Sequence, residues 1–248
     1  MRLETGCLLP ENLPEAVPLL ADTYWDRSSL PKVPAVFGHT NGGVIWGTLG
    51  NAGPGAVGDC TVAGVAHAVQ LWRRAAFNAY PLFTDSGIKQ QYFSLTGGQD
   101  SGLDPVNVAN WWIKTGVQDA GNVRHIIRGY SRLSSLSDLD LACYLYGCVG
   151  LVLLLPESAK FEFRNGEPWQ DTSERGLGGH YVLLCGRNSA KNWTVVTWGR
   201  VHAVTPHWLE RYCYGALVYY SREYIMPSGV TPEGIKTSQL EEDLKRFE

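Results

Sequence analysis

The 248 residues carry 21 Lys and Arg against 24 Asp and Glu, for a net charge of −3, and 44% of them are hydrophobic, with nine Trp. Such a chain buries a sizeable core and is not a disordered segment; its length suits one large domain or two small ones. It has no basic run to hold nucleic acid and no stretch approaching ~18 apolar residues to span a membrane.

The first twenty residues, "MRLETGCLLPENLPEAVPLL", place Glu4, Pro10, Glu11, Pro14 and Glu15 where a secretory signal needs an apolar run, so no signal is expected. Residues 1–43 read as an extended arm laid over a domain at 44–225, and residues 226–248 as a tail. "VIWGTLGN" (44–51) ends the weakly periodic region. Over 61–79, Val62, Val65, Ala66, Val69, Trp72 and Ala76 recur at three- and four-residue steps, which predicts a helix with Asp59 as its N-cap. Further helices are expected at 86–97, at 104–117 with Pro105 in the first turn and Gly116 at the end, and at 135–147. The pattern then changes to short apolar runs bounded by glycine, at 150–157, 179–187, 192–200 and 215–225, which read as strands of one sheet. The segment 238–248 reads as an amphipathic terminal helix. Helices first and strands later indicate α+β, two halves with a cleft between them.

The six cysteines, at 7, 60, 143, 148, 185 and 213, form no CxxC and no Cys/His cluster with metal spacing, so no structural zinc and no cofactor are expected. Cys60 stands alone in context. It opens a helix after the glycine-rich "NAGPGAVGD", where the helix N-terminus favours a thiolate and loop N–H groups can face an oxyanion. His180 enters a strand after three glycines in four residues, "GLGGH". Each residue by itself fits a core role better, a small thiol in packing or a histidine satisfied by a carbonyl. Together they form the pair that nucleophilic catalysis requires, a thiol and a base.

Residues 58–72 resemble the active-site helix of papain-like cysteine peptidases. "GGHYVLLCGRNSAKNWTVVTWG" (178–199) resembles their His strand and the strand after it, which ends in Trp-Gly. Residues 146–169 resemble the strand and loop before the His, and the likeness runs over roughly 44–200. The chain is also similar to a group of bacterial and phage-encoded proteins with "WGTLGN", "WWIKTGV", "LPESAKFEFRNGEPW" and "VTWGR" segments, a likeness that, with no signal expected, implies a bacterial cytoplasm or a phage particle as the compartment. The resemblance implies a papain-like α+β fold, with a helical lobe bearing Cys60 at a helix N-terminus and packed against an antiparallel sheet. It also implies a Cys60–His180 dyad acting on peptide or protein substrates. Two positions depart from the family pattern. Val196 stands where an Asn orients the His, and Pro54 stands where a Gln supplies an oxyanion donor. Asn51 is the nearest amide to replace the Gln. Thr197 carries the nearest hydroxyl to replace the Asn, although strand alternation is expected to turn its side chain away from His180. The two readings are a thiol hydrolase and, as the alternative, an inactive papain-like domain serving as a structural or attachment component of a larger assembly such as a phage particle.

Overall fold

The computed structural model describes residues 1–10, 31–40, 46–133 and 135–236. The expected terminal helix at 238–248 lies outside them, as does most of the expected arm.

Helix α1 (Cys60–Phe77) is buried on nearly every side over its first thirteen residues, so it is a core helix rather than a surface one. Asp59 precedes it in the N-cap position, but its side chain makes no capping hydrogen bond, contrary to expectation. The helix ends at Asn78, whose left-handed backbone sends its N–H to the carbonyls of Arg73 and Arg74. Helix α2 (Asp85–Leu95) is capped by Thr84, whose hydroxyl accepts the Gly87 N–H. Helix α3 (Pro105–Lys114) is capped by Asp104, which accepts the N–H groups of Val106 and Asn107. All three ends follow from local chemistry visible in the sequence.

The strands are β1 (Phe37–Gly38), β2 (Val117–Gln118), β3 (Arg124–His125), β4 (Gly129–Arg132), β5 (Val149–Leu155), β6 (Gly178–Arg187), β7 (Trp193–Thr197), β8 (Arg200–Val204) and β9 (Cys213–Tyr220). The main sheet runs β4-β9-β5-β6-β7-β8, with every pair antiparallel and β1 joined to β6; β2 and β3 form a separate hairpin. The remaining helices are α4 (Leu139–Tyr146), α5 (Glu157–Asn165) and α6 (Pro206–Tyr212). Helix α5 corrects the expected strand at 150–157 and loop beyond it: Pro156 ends the strand and sits at the N-cap of the helix. The expected strand at 215–225 likewise starts earlier and stops at Tyr220, where Ser221 caps a short 3₁₀ turn.

The sheet is covered on both faces, which explains the unbroken apolar run of β5. Val152, Leu183, Cys185 and Val196 face the cluster built on α1, whereas Leu151, Leu153, Val182, Leu184 and Val195 face the cluster built on α4, α5 and α6. Burying each such side chain contributes about 1.5–3 kcal/mol. Trp72 fixes α1 against its neighbours. Its ring stacks on Trp112 at 5.5 Å, and its Nε1–H donates to the Tyr146 carbonyl at 2.9 Å.

Helix α1 approaches the sheet closely at Gly64, over the ring of Tyr181 on β6. A Cβ at Gly64 would lie 2.3 Å from Tyr181 Cε1. Tyr181 cannot yield easily, because its hydroxyl is hydrogen-bonded to Tyr219 at 2.6 Å. Ala exceeds Gly in helix propensity by about 1 kcal/mol, whereas overpacking costs about 1–3 kcal/mol. Gly64→Ala is therefore expected to lower stability despite its better helix propensity, and urea unfolding of the two proteins measures the sign.

Candidate active site

The N-terminus of α1 meets the beginning of β6 at one end of the sheet, so the backbone beside His180 lies against Cys60. The backbone N–H groups of Tyr181, Gly6 and Thr61 all donate towards Cys60 Sγ. Tyr181 directly follows His180, so the sulfur sits against the backbone of the histidine strand.

His180 is fully buried. Its Nε2 is hydrogen-bonded to Thr197 Oγ1 at 2.8 Å, and its ring stacks on Trp198 with centroids 4.5 Å apart. Nδ1 has no hydrogen-bond partner among the described residues. The bond to Thr197 corrects the expected strand facing. Leu183 pairs with Val196, and cross-strand partners share a face, so the next position, Thr197, falls opposite Val182. Val182 is two residues from His180 and therefore on its side of the sheet. Val196 is the residue that points away, into the α1 cluster. The hydroxyl thus engages the imidazole, which Val196 does not face.

Asn51 is buried, and its side-chain Oδ1 has no partner among the described residues. Its main-chain carbonyl accepts the Glu4 N–H at 3.0 Å. That carbonyl bond ties Asn51 to the start of the chain rather than to Cys60 or His180. Among the described residues no group of three His, Cys, Asp or Glu side chains could hold a metal ion.

What covers Cys60 and His180 is the start of the chain itself, which the sequence did not single out. Residues 2–4 pair with 51–53 through the Leu3–Ala52 bridge. Residues 6–8 then cross from one wall of the cleft to the other. The Leu103 N–H donates to Gly6 O at 2.9 Å, the Leu8 N–H to Leu103 O at 3.0 Å, and the Cys7 N–H to Gly179 O at 3.1 Å. Trp198 Nε1–H donates to Glu4 O at 2.9 Å. The crossing is possible only because glycines line it. A Cβ on Gly6 would lie 2.0 Å from Gly58 O, one on Gly179 1.9 Å from Cys7 O, and one on Gly102 2.5 Å from Gly6 O.

This cover sets the electrostatics. Burial pushes the Cys60 thiol up to about 12, against the lowering effect of the N–H groups from Tyr181, Gly6 and Thr61. Burial also drives His180 down to about 3, with the charge of Lys160 adding to the effect. Here desolvation outweighs the helix N-terminus that was expected to favour a thiolate. Both partners are neutral in the covered state.

No family model matches the chain, and no curated protein matches it. Solved structures do. Xylellain, a cysteine protease from Xylella fastidiosa, superposes with a TM-score of 0.61 at 16% identity, over 89% of this chain and 97% of that one. Procathepsin B S9 from Trypanosoma congolense gives 0.62 at 11% identity, over 88% and 86%. The fold is that of the papain-like cysteine proteases. The cysteine protease and lectin-like domains of Cwp84 from Clostridium difficile also match, with a TM-score of 0.57 at 10% identity over 77% of this chain and 52% of that one. Within that fold, α1 begins at Cys60 and β6 carries His180.

Thr197→Val removes the partner of His180 Nε2 without changing shape greatly. A buried polar atom left unpaired costs about 1–3 kcal/mol. Thr197→Val is expected to lose that much in urea unfolding, and Thr197→Ser, which keeps the hydroxyl, is expected to lose clearly less.

Proposed function

We propose that the chain is a thiol hydrolase acting on peptide or amide bonds, held latent by its own residues 5–8. The observation that supports this reading is the place of one sulfur at a helix start beside the histidine strand. Cys60 Sγ lies at the start of α1 against the Tyr181 N–H, while His180 is fixed through Nε2 by Thr197 and keeps Nδ1 available.

In this reading Cys60 attacks the carbonyl carbon of the substrate, and its proton passes to His180 Nδ1. The tetrahedral oxyanion lies towards the Cys60 backbone N–H at the helix N-terminus, with Asn51 as the second donor once residues 2–4 leave its vicinity. Collapse expels the amine, which takes the proton from His180, and leaves a thioester on Cys60. Water then attacks the thioester carbonyl and gives its proton to the imidazole, and the acid leaves with the thiol restored. Thr197 holds the ring in the tautomer with Nε2 engaged, the task of the third member of a triad.

Residues 5–8 survive in the cleft because of what they present. The group of Gly6 that faces the sulfur is an N–H, a donor, and not the carbonyl carbon that a nucleophile needs. The parallel pairing of Cys7 with Leu103 fixes that orientation. Release of this segment returns water to Cys60 and His180, lowers the thiol and raises the imidazole, and so brings the two within exchange of a proton.

Gly6→Val tests both halves of the reading. A side chain at this position meets the Gly58 carbonyl. Overpacking of about 1–3 kcal/mol shifts the covered–open balance roughly 5- to 150-fold. Gly6→Val is expected to raise the rate of Cys60 alkylation by iodoacetamide at pH 6 within that range and to give peptide hydrolysis that Cys60→Ala abolishes. Alkylation of Cys60 in the Gly6→Val protein at the rate of an ordinary exposed cysteine overturns the proposal.

A further inference from the structure

The residue immediately before the thiol is a buried acid with no hydrogen-bonding side chain among the described residues. Asp59 is fully buried, and neither carboxylate oxygen has a hydrogen-bond partner among the described residues. It stands in the N-cap position yet caps nothing. The carboxyl is packed beneath Gly50, where a Cβ would lie 2.2 Å from Asp59 Oδ2; Gly50 has a φ of +112°, so the loop is shaped to admit the acid.

The charged and titratable groups around it do not relieve it. Lys89 on α2 exerts a favourable charge effect, but its Nζ donates to the Gly55 carbonyl at 2.7 Å. The backbone N–H of Asp59 itself adds a smaller pull in the same direction. Asp85 on α2 and Asp100 in the loop after it both oppose a charge on Asp59. Asp85 is engaged by the Thr48 hydroxyl, and Asp100 by the Gly58 N–H and the Tyr92 hydroxyl. On α1 the neighbour is Cys60 itself, whose thiolate a charged Asp59 disfavours. A carboxyl group buried with so little compensation keeps its proton instead of its charge.

We propose that Asp59 is a positioning residue of the thiol site that works as a neutral, buried carboxylic acid. Uncharged, it permits the Cys60 thiolate to form beside it; charged, it opposes that thiolate and so gives the site an alkaline limit. The inference rests on the reading of Cys60 as the nucleophile. Burial raises the Asp59 carboxyl to about 8, with Lys89 pulling it back. The folded protein therefore holds a proton that the unfolded chain releases around pH 4. The stability linked to that proton is fully present below about pH 4 and is lost as pH rises towards 8.

Three measurements on Asp59→Asn and its parent decide the matter. In the full chain, the gain in melting temperature from Asp59→Asn is expected to grow between pH 5 and pH 8; an equal gain at both pH values overturns the inference. In the Gly6→Val protein, Cys60 alkylation is expected to rise less steeply above pH 8 than in the double variant Gly6→Val/Asp59→Asn; superimposable profiles overturn it. Carboxyl-carbon NMR of the unsubstituted protein guards against a variant that fails to fold: one Asp titrating near pH 8 supports the inference, and all Asp ionised by pH 6 overturns it. Failure of Cys60 to react preferentially in either Gly6→Val protein refutes the proposed function instead, and the carboxyl titration reads Asp59 separately.

Discussion

The meeting of the Tyr181 N–H with Cys60 Sγ is the junction on which the arrangement of the molecule depends. It joins the first residue of a core helix to a central strand of the sheet. Four residues further along α1, Gly64 lets the helix settle on the Tyr181 ring, and on the neighbouring strand β5 Gly150 leaves room for that tyrosine's hydroxyl. The tyrosine is thus enclosed from both sides and tied to Tyr219. With helix and strand locked at this spacing, the imidazole of the preceding residue has little freedom in where it lies.

Electrostatics at this junction follow from competition between a local and a surrounding effect. A helix N-terminus contributes at most about 2 kcal/mol to a nearby negative charge. Removal from water costs several kcal/mol for an ion, so desolvation wins wherever cover is complete. Cys60, His180 and Asp59 all sit on the neutral side of that balance in the covered protein. Their protonation states are therefore properties of the cover as much as of the residues.

The elements with a long apolar period or a clear cap were legible in the sequence. The α1 stripe, the Asp104–Pro105 start of α3 and the run "VGLVLLL" of β5 each carry one dominant signal. Helix α5 was missed because "ESAKFEFRN" is largely polar, and only Pro156 and Gly166 mark its ends. At the site, Cys60 and His180 stood out through their glycine-rich approaches. Thr197 was assigned a role, but its side was misjudged, because the facing depends on a pairing register with β6 that no local pattern reveals. Residues 5–8 carried no signal at all: "TGCL" has no periodicity, and its fit depends on Gly58, Gly102 and Gly179, which are distant in sequence.

The partners of the first eight residues have a consequence for biogenesis. Residues 2–8 leave the ribosome ahead of all these partners, yet they bind at 51–53, at 103 and finally at 179. Their last docking point is on β6, a strand that itself requires β5 and β7 on either side. Residues 2–8 thus wait until β5, β6 and β7 have been made, and they seat only when the sheet beneath them has closed.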